Sequence, residues 1–382
     1  MASIKRRPNG SWRARYRDAA GREHARHFGR KVDAQRWLDE VTATVVTGQY
    51  VDPRAGRVTF REFAELWRLS GIHGAPTQER VQRSLRLHVY PAIGDLAMGS
   101  IRPSTLQALV TRVSAKLAPS TVRVQWSVVV AIFRTAVRDK VVPSSPCEGV
   151  RLPEHRRRKV EPPPLDLVDK LTAALPAEFR AVVALVAGSG LRQGEVFGLE
   201  VERLDFLRGR SVEVVQQLVT LPGQPPYLAL PKTAESLRTV PLARVTLDQL
   251  AAHLAAFPVV EVEIEDRTDP RRPVVRSARL VFTRNNRPIA RHDWPAVWVP
   301  AARAVGLPSR TGLHVLRHLY ASLLIRHGES IKTVQARMGH GSAAITLDTY
   351  GHLWPDADDR TREAVEHALG TGADSLRTAS GS

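Results

Sequence analysis

The sequence predicts a multidomain protein, mainly α-helical with small β-sheets: a three-stranded sheet plus a helix, then an all-α bundle, then a larger mixed α+β domain. Its 382 residues exceed what one ordinary hydrophobic core organises. Apolar and cationic residues alternate at strand period near the amino end, whereas residues 58–150 show helical spacing almost throughout. A basic, proline-rich linker at 151–164 separates that helical region from the rest of the chain.

The first unit, residues 1–56, contains the alternating segment 12–17, a turn ending at Gly21 and a returning strand at 23–28. Apolar residues at helical spacing then predict a helix from Val32 to Val46 that packs on this sheet. Because side chains alternate across a strand, one sheet face carries three arginines: Arg13, Arg15 and Arg17. That face is either an ordinary solvated surface or one that enters a groove of a nucleic acid.

Residues 58–150 predict a compact bundle of four or five helices. Thr59 and Glu62 have the spacing of a capping box, in which each side chain bonds the backbone N–H of the other residue. Ser104 is a second start signal, and a third helix is predicted from Ser120 towards Val137.

The largest domain is predicted at 165–369, followed by a small polar tail, 370–382, that we expect to be disordered. It begins with an apolar helix that ends near Gly190. Strand-like segments follow at 211–220, 227–230 and 238–242. Later helices are expected to begin near Leu247, Ala296, His314, Ile331 and Arg360. The charged segment 258–279 is interpreted as an irregular surface insertion.

The charge of the chain favours a polyanionic partner. Lys and Arg total 56 against 38 Asp and Glu, and arginine far outnumbers lysine. A guanidinium group can bind two phosphate oxygens at once, so nucleic acid is the first candidate. A GC-rich genome also yields arginine-rich proteins, and composition alone leaves both explanations open. Outside the sheet, the arginines proposed to contact phosphates are Arg123, Arg156, Arg157 and Arg158.

Cysteine content and hydropathy exclude several classes of protein. The single cysteine, Cys147, excludes a disulfide framework and a cysteine-rich zinc site within one chain. No signal peptide is visible, and no run approaches the ~18 apolar residues of a membrane span. A soluble, intracellular protein is expected.

Five short strings supply a complete set of reactive groups: "SGLRQGE", "LPKTAESLRTVPL", "HVLRH", "MGHGS" and "TLDTYGH". The residues of interest are Arg192, Glu195, Lys232, His314, Arg317, His340 and Tyr350. Arg192 and Glu195 are three residues apart, as are His314 and Arg317, so each pair would share one face of a helix. Each of these residues, taken alone, is more easily explained by a structural role. A reactive site requires that they lie close together in the folded chain.

Together these groups suit transesterification of a phosphodiester. The arginines stabilise negative charge on phosphorus oxygens, and the Tyr350 oxygen attacks phosphorus and becomes bonded to it. Lys232 is a candidate to protonate the departing 5′ oxygen, while the histidines assist proton removal from the phenol. Arginine charge makes a metal unnecessary and the phosphotyrosine bond retains the bond energy, so no metal, ATP or other cofactor is expected.

In this order and at this spacing, the strings resemble the motifs of the tyrosine recombinase family, in particular phage-type integrases, over nearly the whole chain. "GLRQGE" is similar to the first-arginine box, "PKT" with "VPL" to the β-hairpin of the catalytic lysine, and "HVLRH" to the His-x-x-Arg box. "MGHGS" has Met338 where leucine is usual, and "ITLDTYGHL" resembles the nucleophile box. The resemblance implies catalytic roles for the same six residues and a supporting role for Glu195.

The resemblance also implies roles for the domains. Residues 1–56 would bind arm-type DNA sites, 58–150 would be the core-binding domain, and 165–369 the tyrosine-recombinase catalytic domain. Such a recombinase, bacterial or phage-encoded and cytoplasmic, would cut and rejoin duplex DNA at attachment sites through a 3′-phosphotyrosyl intermediate and a Holliday junction. It would act as a homotetramer, with an excisionase or a host DNA-bending protein as further candidate partners. The helix at 358–369 would pack on a neighbouring protomer or be a plain surface helix.

Two other functions remain open at this point. One is a type IB-like topoisomerase that relaxes supercoiled DNA without sequence preference, and the other is a non-catalytic DNA-binding regulator on the same scaffold. The amino-terminal sheet and the "MGHGS" string favour a recombinase over a topoisomerase. The full set of reactive residues argues against a regulator.

Overall fold

The computed structural model describes residues 2–17, 21–46, 52, 54–155 and 159–354, with single positions at 362, 365, 366 and 369. The chain divides into two compact units, Met1–Arg156 and Arg157–Ser382. The mainly α-helical, multidomain architecture with small sheets is confirmed. Residues 18–20, Arg156, Arg157, Arg158, the tail 370–382 and most of the helix predicted at 358–369 lie outside the described residues. None of the described helices combines the length and apolar character needed to cross a membrane.

The amino-terminal sheet has three antiparallel strands in the order β1-β2-β3, as predicted. Its elements are β1 Ser3–Arg6, β2 Trp12–Arg17, β3 Glu23–Phe28 and α1 Lys31–Val46. Helix α1 covers one sheet face, where Ala34 and Leu38 pack with Ala14 and Tyr16. Val32, which the sequence pattern placed on the apolar stripe, is 66% exposed, so this stripe begins later than predicted.

The middle of the chain is all-helical around a core of its own. Its elements are α2 Phe60–Ser70, α3 Ala75–Ser84, a π-helical turn Leu85–Val89, α4 Tyr90–Ile93, α5 Pro103–Ser114 and α6 Pro119–Arg138. The capping box is confirmed, since Glu62 accepts a hydrogen bond from the Thr59 N–H at 2.9 Å and the Thr59 hydroxyl accepts from the Glu62 N–H. Ser104 and Ser120 are not the helix starts. Each of these helices begins one residue earlier at a proline, which suits the first helical position because its missing N–H is not needed there.

The second unit begins with helices α7 Leu165–Ala174, α8 Arg180–Ser189 and α9 Gln193–Phe197. Its strands are β4 Leu204–Asp205, β5 Ser211–Val214, β6 Gln217–Val219, β7 Tyr227–Ala229, β8 Arg238–Pro241, β9 Val262–Arg267 and β10 Val274–Ala278. The remaining helices are α10 Arg244–Ala256, α11 Asp293–Ala304, α12 His314–Arg326, α13 Ile331–Met338 and α14 Ala343–Tyr350. Helix α8 is almost wholly buried and packs against α7, α10 and α12.

The strands on either side of Lys232 do not pair with each other, contrary to the predicted hairpin. Strand β7 pairs with β6 and β9, whereas β8 pairs with β5. The predicted strand 211–220 is divided into β5 and β6, and each half takes a different partner. Residues 230–237 therefore form a broad loop that contains a 3-10 turn at Ala234–Ser236. We call residues 230–237 the lysine loop.

The charged segment 258–279 is a β-hairpin rather than an irregular insertion. Strands β9 and β10 are antiparallel, and β9 adds in parallel to β7. Val262 and Ile264 are buried while Glu263 is exposed, an alternation that the density of charges concealed in the sequence. Arg276 bonds Asp266 of β9 at 2.6 Å and Glu200, outside the sheet, at 2.7 Å, so its charge is paired both within the hairpin and with a neighbouring segment.

Candidate active site

Most of the predicted reactive residues meet near the carboxyl end of helix α13. This helix ends at Met338, and Gly339 has a φ of +61°, a left-handed conformation that favours glycine. The last carbonyls of a helix lack intrahelical partners and form the negative end of its dipole. Three guanidinium groups each donate to one of them: Arg238 to Arg337 O at 2.8 Å, Arg192 to Gly339 O at 2.7 Å, and Arg317 to Met338 O.

Arg317 joins the ends of two helices. It is only 1% exposed, and it also donates to the carbonyl of Gly190, where helix α8 ends with a φ of +66°. A buried guanidinium needs negatively charged partners, and a carboxylate or phosphate would be the usual choice. Helix-terminal carbonyls serve instead, because they carry partial negative charge and need donors. Burial and the charge of Arg192 lower the pKa of Arg317 to about 9, so the guanidinium remains cationic at neutral pH.

Arg192 and Glu195 form a cap at the start of α9, not a pair along a helix face as predicted. Glu195 accepts from the Arg192 backbone N–H at 2.9 Å and from its Nη1 at 2.7 Å. Its other partner is Arg238, whose Nη2 lies 2.9 Å from Oε2. Burial alone would raise the pKa of Glu195, but the bonds and charges of Arg238 and Arg192 outweigh it, and the pKa is lowered. The carboxylate is therefore ionised.

Lys232 stands apart from this cluster. Its side chain is exposed, and no partner for its ammonium group is present among the described residues. The lysine loop nevertheless reaches the site through Ser236, whose hydroxyl accepts from Arg192 Nη1 at 3.1 Å. The structure thus brings the loop to the site without placing the lysine itself on any of the other predicted groups.

Tyr350 is the last residue of α14 and is 1% exposed. Its hydroxyl lies 2.7 Å from Nδ1 of His318, and within the described ranges neither Arg192 nor Arg317 bonds it. The sequence analysis gave His318 no role. The available signal was its position four residues after His314, one turn further along α12, where the two rings meet at 4.6 Å.

The histidines around the phenol are neutral at pH 7. The pKa values of His318 and His340 are lowered to about 4, first by burial and then by the charge of Arg317. The pKa of His314 is lowered as well, although its ring keeps exposed surface. His340 stacks on the Tyr350 ring at 6.3 Å and bonds Thr346 at 2.9 Å.

The electrostatics of the cluster suit an anion. In the described part of the chain, the ion pairs of these three buried or half-buried arginines involve one carboxylate, Glu195, and His318 and His340 are neutral. Two of the three guanidinium charges are therefore not balanced by an ion pair. Burial raises the pKa of Tyr350 to about 12, against a smaller lowering by Arg317, so the phenol is protonated. A phosphodiester entering this field would be stabilised, and its charge would raise the pKa values of the histidines.

The arginines predicted to contact DNA lie in different surroundings. Arg13 and Arg15 flank Glu23 on the uncovered sheet face, each with a nitrogen 3.3 Å from a carboxylate oxygen. Arg17 is exposed on the same face. Arg123 is exposed on α6 and donates to the carbonyl of Pro153 at 3.1 Å.

Comparison with known proteins places the chain in a family. Three family models match successive parts of it: the phage integrase N-terminal domain at residues 2–47, the phage integrase central domain at 58–152 and the phage integrase family at 165–356. The prophage phiRv2 integrase of Mycobacterium tuberculosis is 27% identical over 373 residues, covering 94% of this chain and 92% of that protein.

A XerC-like tyrosine recombinase of Caldanaerobacter subterraneus is 26% identical over 242 residues, 58% of this chain and 60% of that protein. Among solved structures, the Tn1549 transposon integrase in complex with a circular intermediate DNA has a similar fold. Its TM-score is 0.66 at 21% identity, covering 81% of this chain and 99% of that one. The chain belongs to the phage integrase family and is a site-specific recombinase of the tyrosine type.

Proposed function

We propose that the protein is an integrase that exchanges DNA strands between two attachment sites through a covalent 3′-phosphotyrosyl intermediate. The observation that supports this most directly is the Tyr350 phenol beside a neutral histidine, at the edge of a cluster with two excess positive charges. This arrangement offers a nucleophile, a proton acceptor and anion stabilisation.

In the cleavage step, the Tyr350 oxygen attacks phosphorus and the bond from phosphorus to the 5′ oxygen breaks. The phenol proton passes to His318 Nδ1, which accepts it in the tautomer protonated at Nε2. Lys232 gives a proton to the departing 5′ oxygen, and the partly exposed Arg192 donates to the non-bridging oxygens. Arg317 adds its positive charge from the interior, where it remains bonded to the two helix-end carbonyls. Rejoining to another 5′ hydroxyl reverses each transfer, so atoms and charge balance over the cycle.

Two features require movement before this reaction. The Tyr350 hydroxyl is enclosed, so α14 or the segment next to it must shift for the oxygen to meet a phosphate. Lys232 must swing inward from its exposed position in the lysine loop. The anionic backbone favours the inward movement of Lys232 because it attracts the ammonium group. It also raises the pKa of the histidine that receives the phenol proton.

The remaining domains would supply DNA affinity and site choice. We propose that the helical domain at 58–150 contacts the core site and that the sheet face with Arg13, Arg15 and Arg17 contacts arm-type sites. The family resemblance further implies a homotetramer that resolves a Holliday junction, together with an excisionase or a DNA-bending host protein. Counting protomers on a synthetic four-way junction by mass photometry tests the tetramer directly.

The decisive experiment traps the intermediate. A nicked duplex that carries the attachment sequence next to the gene loses a short 5′ fragment after cleavage, so the covalent adduct accumulates. Wild-type protein is expected to give the adduct, and Tyr350→Phe to give none while binding DNA equally well. Tyr320→Phe is the matched control, because it removes the hydroxyl of another buried tyrosine in the same core.

An adduct in Tyr350→Phe would refute the assignment of the nucleophile. Adducts formed equally on unrelated duplexes, with relaxation of supercoiled plasmid, would instead favour the topoisomerase. Binding without any adduct in the wild type would favour the non-catalytic regulator.

A further inference from the structure

We propose that Arg238 is a positioning residue, which holds the lysine loop and the Arg192–Glu195 pair in fixed places against the end of α13. This inference rests on the proposed function and concerns a side chain to which the sequence analysis gave no role. It distinguishes Arg238 from Arg192, whose side chain keeps 34% of its surface exposed.

Each nitrogen of the Arg238 guanidinium bonds a different element. Nε donates to Arg337 O of α13 at 2.8 Å, Nη1 to Ser236 O of the lysine loop at 2.9 Å, and Nη2 to Glu195 Oε2 of α9 at 2.9 Å. The planar fork fixes the angles between these three bonds, which a point-charge ammonium cannot do. One side chain therefore determines the relative positions of three segments.

Arg238 is not placed to touch the phosphate. Its side chain is 6% exposed, against 34% for that of Arg192, and its three nitrogens are already engaged. A role in the reaction must then pass through its neighbours. Arg192 is connected to it through Glu195, and Lys232 through the backbone of the loop.

The packing around Gly339 shows how closely these parts fit. A Cβ at this position would lie 3.0 Å from Arg238 Nη1, 3.1 Å from Glu235 O and 3.2 Å from Ser236 Cα. The lysine loop thus rests directly on the turn that leads into His340. A shift of the loop by about 1 Å would alter the approach of Lys232 to the leaving oxygen, and such misplacements cost about 10²-fold in rate.

The test measures single-turnover adduct formation at saturating nicked DNA, together with the DNA dissociation constant and the melting temperature. Arg238→Gln and Arg238→Lys are expected to lower the rate about 10²-fold, with the dissociation constant unchanged, because groups that contact DNA remain. Arg238→Lys keeps the charge near Glu195 and stays informative if the glutamine variant melts early.

A second substrate tests whether Arg238 affects the rate through Lys232. A bridging 5′ sulfur leaves without protonation, so it should restore most of the rate of Lys232→Ala. In the Arg238 variants it should restore the part of the loss that passes through Lys232, and the part that passes through Arg192 should remain. Arg337→Ala is the matched control. Arg337 Nη1 bonds Thr239 O at 2.9 Å and so joins the same strand and helix from the exposed side. Its rate should equal that of wild type.

Three results would overturn the inference. The first is a wild-type rate of adduct formation in Arg238→Gln, and the second is a loss of rate in Arg337→Ala equal to that in the Arg238 variants. The third is that the Arg238 variants fold and bind DNA but recover no rate on the 5′-thio substrate. Failure of the wild type to form any adduct would be a different result, since it removes the proposed function and the inference with it.

Discussion

Arginines in the second unit and arginines in the amino-terminal sheet have the same side chain and opposite environments. Arg317 is 1% exposed and fixed by carbonyls at the ends of two helices. Arg17 is exposed on an open sheet face, where Arg13 and Arg15 share the Glu23 carboxylate, each at 3.3 Å. Each of these arginines adds one positive charge to the chain. Only Arg317 is held by its hydrogen bonds in a fixed geometry that could stabilise a transition state.

Under the proposed function, pre-organisation, and not the amount of charge, separates the reactive centre from the DNA-binding surface. A fixed guanidinium loses little entropy when it meets a phosphate, and its low-dielectric surroundings strengthen the interaction. An exposed guanidinium gains affinity through counterion release, which depends on salt and carries little geometric information. Five changes to the chain or its conditions test this difference.

The largest effect is expected for Arg317→Lys. The ammonium keeps the charge but cannot bond both helix ends in one plane, so adduct formation should fall by ~10³-fold in a single-turnover assay. Arg326→Lys, on the exposed end of the same helix, should leave the rate unchanged. A comparable loss in the control would mean that α12 is sensitive to any substitution.

Deletion of residues 1–56 should separate binding from chemistry. Cleavage of an isolated core site is expected to persist, whereas integration between full attachment sites should fall about 10²-fold, because a linked DNA-binding module no longer raises the local concentration. Quantitative PCR of recombinant junctions measures the second effect. Loss of cleavage on the isolated core site would show that the first unit takes part in the reaction.

Stability should fall as the pH drops from about 6.5 to about 4. His318 and His340 bind protons more readily in the unfolded chain, since their folded pKa values are lowered to about 4. The stabilisation is therefore complete above pH 6.5 and is lost progressively as the pH falls to about 4, by ~1–2 kcal/mol per histidine once solvent screening is allowed for. In His318→Asn, the melting temperature should depend less steeply on pH across this range. An unchanged slope would contradict the buried, neutral assignment.

Gly339→Ala should destabilise the second unit by about 1–3 kcal/mol. The alanine combines a left-handed φ with contacts of 3.1–3.2 Å to the backbone of the lysine loop. Gly10→Ala is the matched change in the amino-terminal sheet, where φ is +80° but nothing lies within 4 Å of a Cβ. It should cost less, about 1 kcal/mol, in urea unfolding followed by circular dichroism. Equal costs would show that only φ matters at Gly339.

The smallest effect is expected for Arg17→Ala on arm-site binding. One lost phosphate contact should reduce the slope of log affinity against log salt by about 1, with core-site cleavage untouched. Fluorescence anisotropy at several salt concentrations measures it. An identical slope would return that sheet face to an ordinary solvated surface.

Motifs predicted the composition of the site better than its geometry. The helix starts at His314 and Ile331 and the helix break at Gly190 followed from local spacing and turn chemistry, and the structure confirms them. The helix-end carbonyls that hold Arg317, and the bond from His318 to Tyr350, join segments far apart in the chain. No periodicity in the sequence reports such contacts, because they depend on tertiary packing.

The lysine loop illustrates a different reason for error. The segments around Lys232 have strand-like composition, and local sequence cannot say which strand each will join. The true partner of β7 on its other side is β9, which lies in a segment that looked irregular because charges concealed its alternation. Both errors have one origin, since a pairing between distant strands was required to correct either.

The β9–β10 hairpin has a consequence for any attempt to shorten this protein. Without it, β7 would become a sheet edge, and Tyr227 would lose the Arg267 guanidinium that lies 4.0 Å over its ring. Strand β7 leads straight into the lysine loop. We therefore expect that a shortened protein lacking residues 258–279 would misplace Lys232, the proposed proton donor. Length variation at this point of the gene is therefore limited by catalysis, although the segment contains no residue that takes part in it.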